Sequence, residues 1–447
     1  MRQPSRQRPW LLAFQPHEIM SEQATSYHGE FLPDDLGRLS TYLCDCRTLE
    51  IRAKNNGLFA ASSSQDSTSS SGYQNTWLRD TVLVANYFRE SGDLAVAGKT
   101  VKTLTNYFCL HRHRFLRIIQ RPELRSNPNE RPQVRFDGDT LRENPESWSH
   151  AQNDALGYAL WLPMVMSNAG QYQLDAFDLR AYSLFPAYFE AIQYWQDADS
   201  GHWEEEETIH NSSVGVVVGA LEQMKRYLEV HGSEFSTEDV PLSVEQLDGL
   251  IRKGRERLRT LPLESPPHRM ADAALLSLIY PVDAVDRTTA DQIIELVVTR
   301  LKGEHGIKRY EGDSYWCQDY KKLLPPGELT ADFSRRIEER NRLLVPGLEA
   351  QWCIFDPILS VIYGRRFLET GCLEDFEQQL QFFRRSLSQL TPEGQCPELY
   401  YMANSTTRVY QPNDHTPLAW TQANLGIALH YMRASVSRAS ANTAVSA

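Results

Sequence analysis

The chain has 447 residues, 41% hydrophobic and 23% charged, and carries a net charge of −12. That charge argues against nucleic acid or an anionic membrane surface as a partner. No apolar run approaches the roughly 20 residues of a membrane span. Seven cysteines, an odd number with no Cys-x-x-Cys pair, point to reduced thiols and a cytoplasmic location.

Residues 1–33 are expected to form an N-terminal arm, and its apolar run Trp10-Leu11-Leu12-Ala13-Phe14 is too short for a signal-peptide core. A single domain is expected over 34–435, interrupted by a Ser-rich polar insertion at 61–72. A disordered Ser/Ala/Thr tail is expected at 436–447. Helical periodicity starts at 34–54 and continues at 76–90 and 94–116. Residues 117–149, rich in Arg, Pro and Asn, read as a long loop. Helices follow at 154–167, 176–196 and 213–230. The last of these has Val214, Val217, Leu221, Met224 and Leu228 on one face. Asn211, Ser212 or Ser213 can cap it, and its Gly215 and Gly219 mark a close helix–helix contact. Further helices are expected at 244–261, 271–280, 289–301, 348–367, 373–390 and 417–432. About twelve helices joined by alternately short and long loops predict an all-α toroid of six hairpins, with the long loops gathered at one end.

The chemistry-bearing clusters fall on those long loops. In Trp203-Glu204-Glu205-Glu206-Glu207 a carboxyl held against an indole can keep its proton near neutrality and act as a general acid. A bare Glu run alone reads equally as a solvated loop. Trp77-Leu78-Arg79-Asp80 offers a donor and an acceptor to one pair of hydroxyls, although Asp80 could also cap a helix. Trp148 precedes Gln152-Asn153-Asp154. Arg309-Tyr310-Glu311-Gly312-Asp313 is a further cluster. Glu349-Ala350-Gln351-Trp352 opens another helix, and Pro397-Glu398-Leu399-Tyr400-Tyr401 precedes the helix with Trp420. Six of the nine tryptophans (77, 148, 203, 316, 352 and 420) stand beside such groups, as a pocket for a polyhydroxy ligand requires. Metal-ligand and phosphate-loop spacings are missing, so neither a metal nor a cofactor is expected. Two carboxylates on separate loops fit glycoside hydrolysis.

In this order the motifs resemble glycoside hydrolase family 15, both the glucoamylases and the related domain of the phosphorylase kinase α and β regulatory subunits. The resemblance spans about 34–435. It implies an (α/α)6 barrel and inverting, exo-acting hydrolysis of α-linked gluco-oligosaccharides or α-glucans. It makes Glu204 the general acid and Glu398 the general base. Trp77, Arg79, Asp80, Trp148, Gln152, Asp154, Trp203, Glu205, Arg309, Glu349, Trp352 and Trp420 become the substrate-binding residues, Glu205 as a hydroxyl-binding acid. Fungal glucoamylases carry an acidic residue where this chain has Gly201. The alternative implied by the kinase subunits is a non-catalytic carbohydrate-binding regulatory module.

Overall fold

The computed structural model describes residues 33–62, 72–232, 234–236, 240–267 and 269–446. The N-terminal arm and most of the Ser-rich insertion lie outside them. In chain order the helices are α1 (Pro33–Asp45), α2 (Leu78–Glu90), α3 (Leu94–Leu110), α4 (Arg112–Gln120), α5 (Asn153–Asn168), α6 (Ala176–Tyr182), α7 (Leu184–Ile192), α8 (Asn211–His231), α9 (Val244–Arg257), α10 (Arg287–Arg300), α11 (Tyr320–Leu323), α12 (Ile337–Asn341), α13 (Phe355–Thr370), α14 (Leu373–Ser388) and α15 (Ala419–Ser446).

Six elements close an inner ring. Helix α2 packs on α5, α5 on α8, α8 on a 3-10 segment (Ala273–Leu278), that segment on α13, α13 on α15, and α15 back on α2. The outer layer is α1, α3, α6 with α7, α9, α10 and α14; α1, α3, α9, α10 and α14 pack against inner elements, while α6 packs on α3 and α7 on α4. This is the expected all-α, (α/α)6 barrel. Inner helices are buried almost all round, as in α5, where Asn153 to Met164 is buried without a break. Outer helices keep a polar face, as in α9, where only Leu247, Leu250 and Gly254 are buried.

The fourth inner element is a 3-10 segment where the sequence predicts an ordinary helix at 271–280. It approaches α8 where α8 has no side chains: a Cβ on Gly215 would stand 2.4 Å from the Leu278 side chain, and one on Gly219 2.2 Å from Val282. The close contact expected of these glycines is therefore present.

Other boundaries differ from expectation. Helix α8 starts at Asn211 with His210 at the N-cap, so the expected polar caps lie inside the helix. Asp80 lies in the first turn of α2, whose N-cap is Trp77. Residues 117–149 contain the end of α4, two short 3-10 turns, strand β2 (Arg135–Asp137), which pairs with β1 (Thr76–Trp77), and strand β3 (Arg142–Glu143), which pairs with β2. Strands β4 (Glu234–Ser236) and β5 (Pro241–Ser243) pair with each other. Residues 349–352 do not open a helix. Gln351 and Trp352 form strand β6, paired with β7 (Leu399–Asn404), which pairs with β8 (Val409–Pro412). Helix α15 continues to Ser446, through most of the stretch where the sequence predicts a tail. No proline or glycine follows Gly426 to stop it, and Ser435 and Val436 are buried.

The links 91–93 and 371–372 are short, whereas 121–152, 301–354 and 389–418 are long. The long links all lead from an outer helix into the start of an inner one. They therefore gather at the end where the inner elements begin, as expected.

Candidate active site

At that end lies a cavity of about 800 Å³, its mouth included. Its wall is built from the starts of inner elements and the loops before them. Trp77, Arg79 and Asp80 come from the β1–α2 junction, and Trp203 and Glu204 from the loop before α8. Trp352 comes from β6 and Trp420 from the first turn of α15. Trp148, Arg309 and Glu398 complete the predicted residues that line it.

Glu204 adopts φ +57°, a left-handed conformation that costs a non-glycine residue roughly 1–2 kcal/mol. The turn before it needs Gly201, because a Cβ there would stand 2.7 Å from the His210 ring. The turn delivers the Glu204 carboxyl to two indoles. Trp77 Nε1 donates to Oε2 at 3.2 Å and Trp148 Nε1 to the same oxygen at 3.0 Å. Oε1 lies 3.5 Å from Arg79 Nη1. Burial raises the Glu204 pKa, against the pull of Arg79, the Trp77 N–H and Arg135.

Glu398 stands at the head of β7, where Cys353 N donates to its carbonyl at 2.9 Å. Tyr73 Oη donates to its Oε1 at 2.8 Å, and Asn413 Nδ2 donates to its Oε2. Tyr73 is stacked on His415, with centroids 3.6 Å apart. Burial pushes the Glu398 pKa up to about 7 despite Asn413, Tyr73 and Arg309. Asp80 is likewise pushed up to about 7 by burial, opposed mainly by Arg79. A raised pKa is thus not particular to Glu204, because burial also lifts Asp80 and Glu398.

Arg79 is anchored from behind. Its Nε donates to Asp154 Oδ2 at 2.6 Å and its Nη2 to Gln152 Oε1 at 2.8 Å and Gly201 O at 3.1 Å. Burial would raise Asp154, but Arg79 and then His202 hold it below the ordinary range. Gln152 and Asp154 therefore orient Arg79 and do not line the cavity. His202, itself pushed down to about 4 by burial, stays neutral at pH 7.

Glu205 faces away from the cavity. Arg309 Nη2 at 2.8 Å and Arg340 Nη2 bind its Oε1, and Arg269 Nη2 at 3.2 Å and the Tyr310 hydroxyl bind its Oε2. Burial would raise its pKa, but Arg309, Arg340 and Arg269 hold it far below the usual carboxylate range. With both oxygens taken, it organises Arg309 and Arg340 and is not the free hydroxyl-binding acid that the resemblance implies. Glu349 is also outside the wall, accepting from Gly312 N at 3.0 Å and pairing with Lys308 at 2.7 Å. Glu206 and Glu207 are exposed. Trp316 is a core residue stacked on Tyr320.

Sequence reading missed Arg340, Tyr315 and the segment Thr330–Phe333, all on the wall. Arg340 stands on α12, a helix too short to show periodicity, in a stretch dense with ordinary surface charge. Nothing in the spacing of Tyr73 and Tyr315 shows that their hydroxyls meet at 3.0 Å beside Glu398.

The sequence profile of Glycosyl hydrolases family 15 matches residues 37–351. The chain belongs to that family. Solved structures with the same fold include a wild-type glycosidase, 19% identical, covering 90% of this chain and 99% of that one with a TM-score of 0.65. A variant glycosidase in complex with glucose is 18% identical over the same shares, TM-score 0.64. Glucoamylase from Saccharomycopsis fibuligera is 13% identical, covering 93% of this chain and 99% of that one, TM-score 0.58. Membership of family 15 supports a glycoside hydrolase. None of its described helices is long and apolar enough to cross a membrane.

Proposed function

We propose that the protein is an inverting, exo-acting α-glucosidase of α-linked gluco-oligosaccharides, with Glu204 as general acid and Glu398 as general base. The observation that carries this reading is the contrast between two carboxyls on the wall of one aromatic cavity, Glu398 buried and Glu204 half-buried. Two indole N–H groups occupy Oε2 of Glu204, which leaves Oε1 to carry the proton. As that proton passes to the glycosidic oxygen and the C1–O bond breaks, the indoles already stand where negative charge appears. Glu398, with a hydroxyl and an amide on its two oxygens, keeps lone pairs for the proton of a water attacking C1 from the other side.

Arg79 and Asp80 supply a donor and an acceptor to hydroxyls of the terminal sugar. Arg309 spends Nε and Nη2 on Asp313 and Glu205, and packs over Trp203 and Trp352 at 5.2 and 5.1 Å. A cavity floored by inner-element starts suits a chain end, which supports exo action. The glucose bound by the similar glycosidase supports a glucosyl substrate. All seven cysteines are free thiols, which supports a cytoplasmic setting.

The test is glucose release from a panel of α-linked disaccharides and maltooligosaccharides by wild type, Glu204→Gln and Glu398→Gln. The reading expects loss of turnover by roughly 10³-fold or more in each variant with sugar binding retained. Unchanged turnover in either variant removes that residue's role. Glucan binding with no hydrolysis by wild type supports the regulatory alternative.

A further inference from the structure

Arg135 lies opposite Trp77 in the β1–β2 pair. Its guanidinium sits 4.0 Å from the Trp148 ring centroid and 4.9 Å from that of Trp77. These are the two indoles whose N–H groups converge on Glu204 Oε2. They stand edge to face, centroids 6.3 Å apart, with the cation against both. Arg135 is 6% exposed and its Nε has no hydrogen-bond partner. Burying a cation against aromatic faces is a poor route to stability, since such contacts recover only part of the lost hydration. Its position next to the acid's two donors accounts for its presence better.

We propose that Arg135 is a positioning residue for the general acid, acting through Trp77 and Trp148. A cation against the π faces draws density from the indoles and strengthens their N–H groups as donors. Its charge also favours the carboxylate left when Glu204 gives up its proton. Arg79, Asp80 and Asp332 also act on Glu204, while Glu146, Tyr73 and Asp332 act on Arg135. Removing Arg135 leaves Glu204 facing Arg79 as its remaining cation, so its pKa rises and Oε2 loses its firm hold. The inference rests on Glu204 as the acid.

The experiment follows tryptophan emission against pH in wild type, Glu204→Gln, Arg135→Met and Arg135→Lys. It also measures kcat/KM on maltose and on α-glucosyl fluoride, whose leaving group departs without a proton. Wild type is expected to show an emission transition that Glu204→Gln lacks, moved up by about one pH unit in Arg135→Met. In that variant kcat/KM falls roughly tenfold or more on maltose and less than about threefold on the fluoride. Arg135→Lys, which keeps the charge, stays between Arg135→Met and wild type. An unmoved transition, no transition in wild type, or equal losses on both substrates overturns the inference. If Arg135→Met does not fold, Arg135→Gln takes its place under the same criteria. Full maltose turnover by Glu204→Gln, or none by wild type, defeats the acid reading instead, and the emission titration still decides whether Arg135 acts on Glu204.

Discussion

The Tyr73 hydroxyl donates to Oε1 of Glu398 at 2.8 Å and lies 3.0 Å from the Tyr315 hydroxyl. The donor favours the ionised form of Glu398, the form a base needs, and opposes the burial that lifts this carboxyl to about 7. Tyr73→Phe therefore raises the Glu398 pKa further. The acidic limb of the kcat/KM–pH profile moves to higher pH, and activity lost at pH 6 is largely recovered at pH 8. An acidic limb that stays in place would separate it from Glu398.

On the proposed roles the wild-type profile should be bell-shaped. Activity rises with pH as Glu398 ionises and falls as Glu204 loses its proton. Because burial raises both groups, the optimum lies nearer neutrality than two ordinary carboxyls would set it. The stereochemistry is a separate test: proton NMR of freshly released glucose should show the β anomer first. Initial α-glucose requires a different mechanism.

Stability carries the mark of the same carboxyls. Glu398 and Asp80 titrate near 7 when folded, above their ordinary values. The folded state thus holds protons that the unfolded chain releases, and stability falls as pH rises from about 4 to 7. Asp80→Asn and Glu398→Gln should each raise the unfolding temperature at pH 8 and change it little at pH 4. The gain at pH 8 is at most about 3 kcal/mol for Glu398→Gln and about 4 kcal/mol for Asp80→Asn. Asn413 Oδ1 is buried without a partner, so a half-turn of its amide lets it accept from a protonated Glu398 or from a glutamine there. Variants less stable at pH 8 than wild type contradict this account.

Glu205 behaves in the opposite sense. Its pKa is depressed by Arg309, Arg340 and Arg269 once burial is outweighed. Its contribution is present above its unfolded value and is lost as pH falls through the folded one. Glu205→Gln leaves three buried guanidinium groups short of their shared anion and should destabilise by about 3–5 kcal/mol. Sugar affinity should fall with it, since Arg309 and Arg340 line the cavity. A variant as stable as wild type, with unchanged KM, denies Glu205 its organising role.

Much of this molecule is determined locally. The apolar face of α8, the Gly215 and Gly219 contacts and the alternation of short and long links follow from helical periodicity, which reports burial residue by residue. The barrel and the end that carries the site were legible for that reason; Trp77, Arg79, Asp80, Trp148, Trp203, Glu204, Arg309, Trp352, Glu398 and Trp420 came instead from the loop motifs and the family resemblance, and all of them line the wall. Tertiary structure alone decided which neighbour faces the cavity. Glu204 and Glu205 are adjacent and chemically identical, yet a left-handed turn sends one to two indoles and the other to three arginines. It also brought Tyr73, Arg135 and Arg340 to carboxyls far away in sequence. Such pairings depend on backbone register and side-chain direction, and spacing along the chain carries neither.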